Sequence, residues 1–280
     1  MMRLPDWIRV KKQTSFSKTK KVLRRHGLST VCEKARCPNM GACFTKPTAT
    51  FMILGTKCTR HCGFCSVNSS MPEPLDSREP YSVAMAAKEM GLRHVVVTSV
   101  TRDDLADGGA HHFACTVHAI REQIQHATVE VLTPDFKGEM KNLHIVLESR
   151  PDVYSHNVET VPRLYQRVRP GANYQRSLNV LRKAKETASE IILKSGLMMG
   201  LGETREEVLD VLKDLLRTGC ECITIGQYLR PSKRNLPVTE YVRPEVFEEI
   251  RLEALDMGFR YVAAAPLVRS SMNAEEMLTH

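Results

Sequence analysis

The sequence predicts an α/β protein, an open partial (β/α)6 barrel of the TIM type, on three observations. Short β-rich runs alternate with helical stretches, six such units can be counted where a closed barrel needs eight, and polar or small residues stand at the end of each run. Parallel strands joined by right-handed crossovers are the packing that this alternation allows. The 280 residues suffice for one large domain or two ordinary ones, and bury enough surface to fold without staples.

The six β-rich runs are Thr50–Leu54, His94–Ser99, Thr128–Leu132, Asp152–Asn157, Glu190–Lys194 and Cys222–Gln227. Helical patterns mark Tyr81–Met90, Ala110–Gln125, Lys141–Glu148, Leu178–Lys185 and Glu206–Thr218. Barrels of this kind do their chemistry at the C-terminal strand ends, which carry Thr98-Ser99, Thr133, His156-Asn157, Lys194-Ser195 and Gln227-Tyr228. Residues 1–49 precede the barrel as an N-terminal extension and 50–243 form it. Residues 244–280 supply a closing helix, a short strand at Phe259–Ala263 and a C-terminal tail.

A hydrophobic content of 42% with 26% charged residues excludes disorder, collagen-like repeats and a coiled coil. No stretch approaches the ~18 apolar residues of a membrane span, and Met1 to Lys12 lack the apolar centre of a secretory signal. The expectation is a soluble, cytoplasmic protein without a membrane partner. All of the net charge of +8 sits in residues 1–25, where nine bases face the single acid Asp6. That arm reads as a solvated tail or as a docking arm for an acidic partner. It could also serve as an organellar address, though Pro5-Asp6-Trp7 fits an amphipathic helix poorly. Nucleic acid is disfavoured, because only Trp7 and Phe16 interleave with the bases.

Six of the nine cysteines fall within 34 residues. Cys32, Cys37 and Cys43 are spaced C-x4-C-x5-C, and Cys58, Cys62 and Cys65 are spaced C-x3-C-x2-C; Cys115, Cys220 and Cys222 read as small buried apolar residues. Disulfides are disfavoured in a reducing compartment. Zinc asks for four ligands, which His61 could complete for the second group. Iron–sulfur clusters suit thiolates on short loops. Three cysteines on a four-iron cube leave one iron for a different ligand.

Cys58-Thr59-Arg60-His61-Cys62-Gly63-Phe64-Cys65 carries the signature of the radical S-adenosylmethionine (SAM) superfamily, and the chain as a whole resembles the lipoyl synthase family. The motifs behind that resemblance run along nearly the whole chain. They are Pro5-Asp6-Trp7-Ile8-Arg9-Val10-Lys11, Cys37-Pro38-Asn39, Thr98-Ser99-Val100-Thr101-Arg102-Asp103-Asp104-Leu105, Asp107-Gly108-Gly109, His156-Asn157-Val158-Glu159-Thr160, Gly226-Gln227-Tyr228-Leu229-Arg230-Pro231-Ser232 and Arg269-Ser270-Ser271.

The resemblance implies a radical SAM barrel with two [4Fe–4S] clusters and SAM as cofactors. Cys58, Cys62 and Cys65 would hold the cluster that binds and cleaves SAM. Cys32, Cys37, Cys43 and Ser270 would hold an auxiliary cluster that donates sulfur. The implied reaction places two sulfur atoms at carbons 6 and 8 of an octanoyl chain carried on a lysine of a lipoyl carrier domain. Such an alkane carbon offers no proton that a base near neutral pH can remove, so a radical route is required. The implied SAM contacts are Phe64, Ser99, Asn157, Glu159, the Gly196-to-Glu203 pattern with Gly200, and Gln227 to Leu229. The implied partners are a 2-oxoacid dehydrogenase E2 domain or a glycine cleavage H protein, a ferredoxin- or flavodoxin-type reductant, and an iron–sulfur carrier.

The chain departs from the family pattern at Met272 and Asn273 after the tail serines, and at Ala42 and Phe44 beside Cys43. None of these is an implied ligand. A diverged second copy, or another sulfur-inserting enzyme with an auxiliary cluster, stands as the alternative.

Overall fold

The structure, a computed structural model, describes residues 4–8, 18–44 and 49–278. One eight-stranded sheet dominates it: β1 Ser29–Thr30, β2 Thr50–Ile53, β3 His94–Ser99, β4 Thr128–Leu132, β5 Val153–Ser155, β6 Ile192–Met199, β7 Cys222–Gln227 and β8 Tyr261–Ala265. The strands lie side by side in chain order. All neighbours from β2 to β8 pair in parallel, and β1 runs antiparallel to β2. Sequential parallel order is the topology of a barrel wall, and the sheet ends at β1 and β8 without joining them.

Ten α-helices are described: α1 Lys18–Arg25, α2 Val31–Lys34, α3 Met40–Cys43, α4 Glu79–Met90, α5 Ala110–Gln123, α6 Met140–Glu148, α7 Tyr165–Val168, α8 Tyr174–Thr187, α9 Arg205–Arg217 and α10 Pro244–Met257. The crossover helices cover the outer face of the sheet, where Val95, Val97, Val129, Val131, Tyr154 and Leu193 join the main apolar core. Side chains alternate across a strand, so the intervening residues face the barrel interior. Helix ends follow the sequence: Thr204 and Glu207 form a reciprocal capping box on α9, and Gly91 ends α4 in the left-handed conformation.

Three of the six expected strands keep their bounds, β2 and β5 are shorter than expected, and β6 and helix α8 differ for physical reasons. β6 runs to Met199, past the expected end at Lys194, because Gly196 lets the strand continue where a side chain would meet Thr224 and Asn157. Lys194 is therefore not on the rim: it is buried in the barrel interior, with Nζ 2.9 Å from Glu130 Oε1. Helix α8 begins at Tyr174, four residues before Leu178, because the Asn173 side chain accepts the Arg176 backbone N–H. Outside the expected six, β8 extends the parallel sheet near the place foreseen for the C-terminal strand, and β1 had no sequence signal. Cys220 and Cys222 are buried as expected, whereas Cys115 is exposed on α5.

The basic arm also differs from a loose tail. Arg3, Arg9, Lys11 and Lys12 lie outside the described residues, but α1 packs Val22 and Leu23 into the core and Arg25 and His26 reach Glu89. No helix among the described residues is long and apolar enough to cross a membrane.

The Lys194–Glu130 pair, with Ser155 Oγ donating to Glu130 at 2.8 Å, is fully enclosed. Removing one partner strands a buried charge, whereas removing both replaces it with apolar volume. Lys194→Met is expected to lower unfolding free energy by about 3–5 kcal/mol and the Lys194→Met/Glu130→Leu double variant to recover most of it. Urea titration of the three proteins checks this.

Candidate active site

Both cysteine groups come from loops at the C-terminal mouth of the barrel or beside its open edge. Cys58, Cys62 and Cys65 follow β2, and Cys32, Cys37 and Cys43 lie on or between α2 and α3 next to β1. None of the nine cysteines is paired in a disulfide. A cavity of about 900 Å³ opens between the two groups, lined by Cys32, Cys37, Cys58, Cys62 and Cys65, with Ser270 on its wall. Cys43 is absent from the lining, yet lies close enough to Cys32 for their charges to interact. The structure thus gathers six of the seven expected ligands on one space and sets the seventh beside it.

The second cysteine loop is clamped from β3 by the Thr98-to-Leu105 segment. Thr59 donates N–H and Oγ1–H to the Thr101 carbonyl, both at 3.0 Å, and the Asp103 N–H donates to Thr59 Oγ1. Arg60, standing between two cysteines, makes a bidentate pair with Asp103 at 2.7 and 2.9 Å and reaches Asp135 at 2.7 Å. Arg176 holds the other oxygen of Asp135. Burial alone would raise the Asp135 carboxyl, but the Arg60 guanidinium overrides it and holds the group well below the usual carboxylate range. Arg102 ties the same segment back to the Leu54 carbonyl and to Asp104.

Backbone donors already face the sulfurs. Arg60 N–H and Thr101 N–H point at Cys58 Sγ at 3.4 and 3.3 Å, and Val67 N–H points at Cys65 Sγ at 3.4 Å. Burial raises the Cys65 thiol to about 12 and the Cys32 thiol to about 11, so these groups remain protonated until a cation replaces the proton. Among the described residues no three His, Cys, Asp or Glu side chains gather closely enough to share one metal ion. His61 is exposed and off the cavity wall, so it does not complete a zinc site with its neighbours. Three thiols, two of them facing N–H donors, fit a larger sulfur-bridged cluster.

The cavity also carries the polar groups a charged ligand needs. Ser99 Oγ and Arg169 Nε are buried there with no hydrogen-bond partner, an open demand that a bound molecule can meet. Arg169 is otherwise fixed by the Asn157 carbonyl at 2.8 Å and by Tyr165, over whose ring it stacks. Asn157 donates to Glu159 at 3.2 Å. Glu159 is held at φ 66°, a strained conformation for a non-glycine residue and of the kind that collects at working sites. Gly196 leaves room at the wall, since a Cβ there would come within 2.7 Å of Thr224 Oγ1. These features fit an amino-acid-bearing nucleoside such as SAM.

Phe64, Ser99, Asn157, Glu159, Gln227 and Leu229 all line the cavity, as expected of SAM contacts, but Gly200 does not. A Cβ at Gly200 would lie 2.1 Å from Gln227 Nε2 and 2.5 Å from the Glu240 carbonyl, so this glycine serves close packing behind the wall. Gln227 presents only its backbone, because its side chain is consumed by Met199, Tyr228, Glu240 and Val242. Sequence reasoning gave no role to Arg60, Arg169 or Arg269, although Arg60 and Arg269 stand inside the cysteine and tail motifs. Arg60 carried a signal, a cation inside a cysteine motif, but Arg169 sits in no recognisable pattern.

His156 is a buried anchor in the same wall. Its Nδ1–H donates to the Thr133 carbonyl at 2.9 Å and its Nε2 accepts from Ser177 Oγ at 3.0 Å. Burial pushes its value down to about 4, so the folded protein resists protonation while the unfolded chain takes the proton near 6.5. Stability from this group is complete above pH 6.5 and declines as pH falls from 6.5 toward 4, costing about 2 kcal/mol between pH 7 and pH 5. Denaturant midpoints at those two pH values should differ less in His156→Gln than in the parent protein.

Comparison with known proteins agrees with this geometry. Residues 52–215 match the Radical SAM superfamily. A lipoyl synthase of Caldicellulosiruptor saccharolyticus is 55% identical over 97% of this chain and 96% of its own length. That of Alkaliphilus metalliredigens is 51% identical over 99% and 96%. Among solved structures, methylornithine synthase (PylB) superposes with a TM-score of 0.54 at 14% identity, covering 89% of this chain and 82% of the other. Streptococcus suis SuiB bound to S-adenosylmethionine gives 0.60 at 11% identity over 76% of this chain, which spans about half of SuiB. These last two likenesses speak to the fold alone. A barrel with three thiols at its mouth, and half of all positions shared along nearly full-length relatives, place the chain in the lipoyl synthase family of radical SAM enzymes.

Proposed function

We propose that the chain completes lipoyl groups in place, inserting two sulfur atoms at carbons 6 and 8 of an octanoyl chain attached to a lysine of a carrier domain. The observation that carries this is the single cavity bordered by both cysteine groups and Ser270. Radical formation and sulfur donation have to occur within reach of one acyl chain, and one shared space meets that need. In this reading Cys58, Cys62 and Cys65 hold one [4Fe–4S] cluster, and Cys32, Cys37, Cys43 and Ser270 hold a second.

When bound, the first cluster and SAM would supply the radical chemistry needed to break an alkane C–H bond, and the second cluster would supply sulfur. The chain's own residues orient and shield. Ser99, Asn157, Glu159 and Arg169 present polar atoms to the amino-acid and ribose ends of SAM, and Phe64 packs by its base. Leu229 and the backbone of Gln227 complete that wall. Apolar Met52, Leu132, Met198 and Val238 face the same cavity and exclude water from a reactive carbon. Arg269 stands close enough to Cys37 for the two groups to interact electrostatically. Serine oxygen is a harder, weaker partner for iron than thiolate, so Ser270 suits an iron that must leave as its cluster is consumed.

The chain divides by task into residues 1–49, which bring the auxiliary cysteines, 50–243, which cleave SAM, and 244–280, which bring Ser270. Its carrier is an E2 domain or a glycine cleavage H protein, its reductant is of the ferredoxin or flavodoxin type, and an iron–sulfur carrier rebuilds the auxiliary cluster, all in the cytoplasm. Lys18, Lys21, Arg24 and Arg25 on the exposed face of α1 give an acidic carrier a place to dock.

Cys37→Ala is expected to cleave SAM to 5′-deoxyadenosine while releasing no sulfur-bearing product. Mass spectrometry of an octanoylated carrier domain under strong anaerobic reductant reads this, and product at the parent rate would refute the donor role. Arg60→Met keeps every cysteine but removes the cation that joins Asp103 to Asp135, leaving Asp135 to Arg176. It is expected to weaken the clamp by roughly 2–5 kcal/mol and to lower iron retained at the first site, with Arg60→Lys intermediate, as iron and sulfide quantitation will tell.

A further inference from the structure

The barrel floor is filled by the chain's own tail. Val96, Val153 and Cys222 lie one residue out of step with the helix-facing positions of their strands, and they form a separate apolar cluster with Ala274 and Met277. Two residues further along the same strands, Thr98 and Thr224 line the active cavity. Residues two apart share a face, so the cluster lies inside the barrel, one layer beneath the cavity. Met277 is completely buried there, 3% of Ala274 is exposed, and Tyr261 Oη donates to Glu276 at 3.3 Å. Between Ser270 and Ala274 the chain therefore passes from the cavity wall to the floor.

Above the floor the tail is held lightly. Asn39 donates to the Leu267 carbonyl, the Val268 carbonyl rests on Gly226 where a Cβ would lie 2.2 Å away, and Thr50 Oγ1 donates to Ser271 Oγ at 2.6 Å. Ser270 Oγ has Asn157 Oδ1 at 3.4 Å. A weak serine–iron bond gains from a tail that is already in place and loses when the tail must be ordered first. We propose that Met277 is a positioning residue: by plugging the barrel floor it pins the tail so that Ser270 stays at the auxiliary centre. This rests on the reading of Ser270 as a ligand of that centre.

The test uses the holoenzyme with both clusters loaded, following the rate at which a ferrous chelator strips iron, beside anaerobic SAM cleavage as a check on the barrel and first cluster. Met277→Glu and the milder Met277→Ala are expected to speed release from the auxiliary cluster, the former roughly tenfold, with SAM cleavage within about twofold of the parent and Met277→Leu restoring the slow rate. Because both residues act through one bond, Met277→Ala added to Ser270→Ala should release iron no faster than Ser270→Ala alone. Fast release in Ser270→Ala with parent-like release in both Met277 variants, or additive effects in the double variant, would overturn the plug and leave the ligand intact. Parent-like release in Ser270→Ala would instead overturn the ligand itself.

Discussion

Seven parallel strands do not close, and most of what is distinctive in this chain follows from that shortfall. A closed eight-stranded barrel fills its own interior with side chains from every strand. Here the sheet ends at β1 on one side and β8 on the other, leaving an interior that the wall alone does not fill. The N-terminal extension adds β1 and the loops of α2 and α3 to one edge, while the C-terminal extension adds β8 and sends its tail inside. Asn39 joins the two extensions through the Leu267 carbonyl. The same opening that weakens the barrel leaves room for the cavity that both cysteine groups border.

Charge placement is the complementary constraint. The cavity wall is buried, and buried thiols and carboxyls resist ionisation unless a partner compensates them. Around Cys58 the compensation is structural: the Arg60–Asp103–Asp135–Arg176 chain fixes the loop, and backbone N–H groups face the sulfurs. Around Cys32 burial is again the dominant influence, and Thr50 opposes it with hydrogen bonds from both backbone and side chain. In the proposed reading, a firmly clamped first site suits repeated electron delivery, and a second site with a serine ligand suits a cluster that is taken apart.

Much of this was legible in the sequence, for identifiable reasons. The β-rich runs of β3, β4 and β7 read correctly to the residue because each is bounded by polar or helix-breaking residues. Both cysteine groups were visible because spacing on a short loop is a local property, and the fold brings five of the six sulfur-bearing residues to one cavity. The end of β6 did not read correctly, since Gly196 and Gly200 look alike in sequence although one sits within a strand and the other packs behind the wall. Nor did the interior place of Met277, which depends on Val96 and Val153 more than a hundred residues away, nor that of Arg169, whose nearby partners Asn157 and Tyr165 form no recognisable motif. Lys194 looked like a rim residue and is a buried ion-pair partner, for it was placed by an underestimated strand length.

The central claim is that two thiolate triads hold two clusters on opposite sides of one cavity. A crystal structure of the loaded enzyme grown without oxygen tests it most directly. The account predicts two cubanes, one on Cys58, Cys62 and Cys65 facing SAM, the other on Cys32, Cys37 and Cys43 with Ser270 at its fourth iron. A single cubane, or Cys32 and Cys43 turned away from any iron, would contradict it.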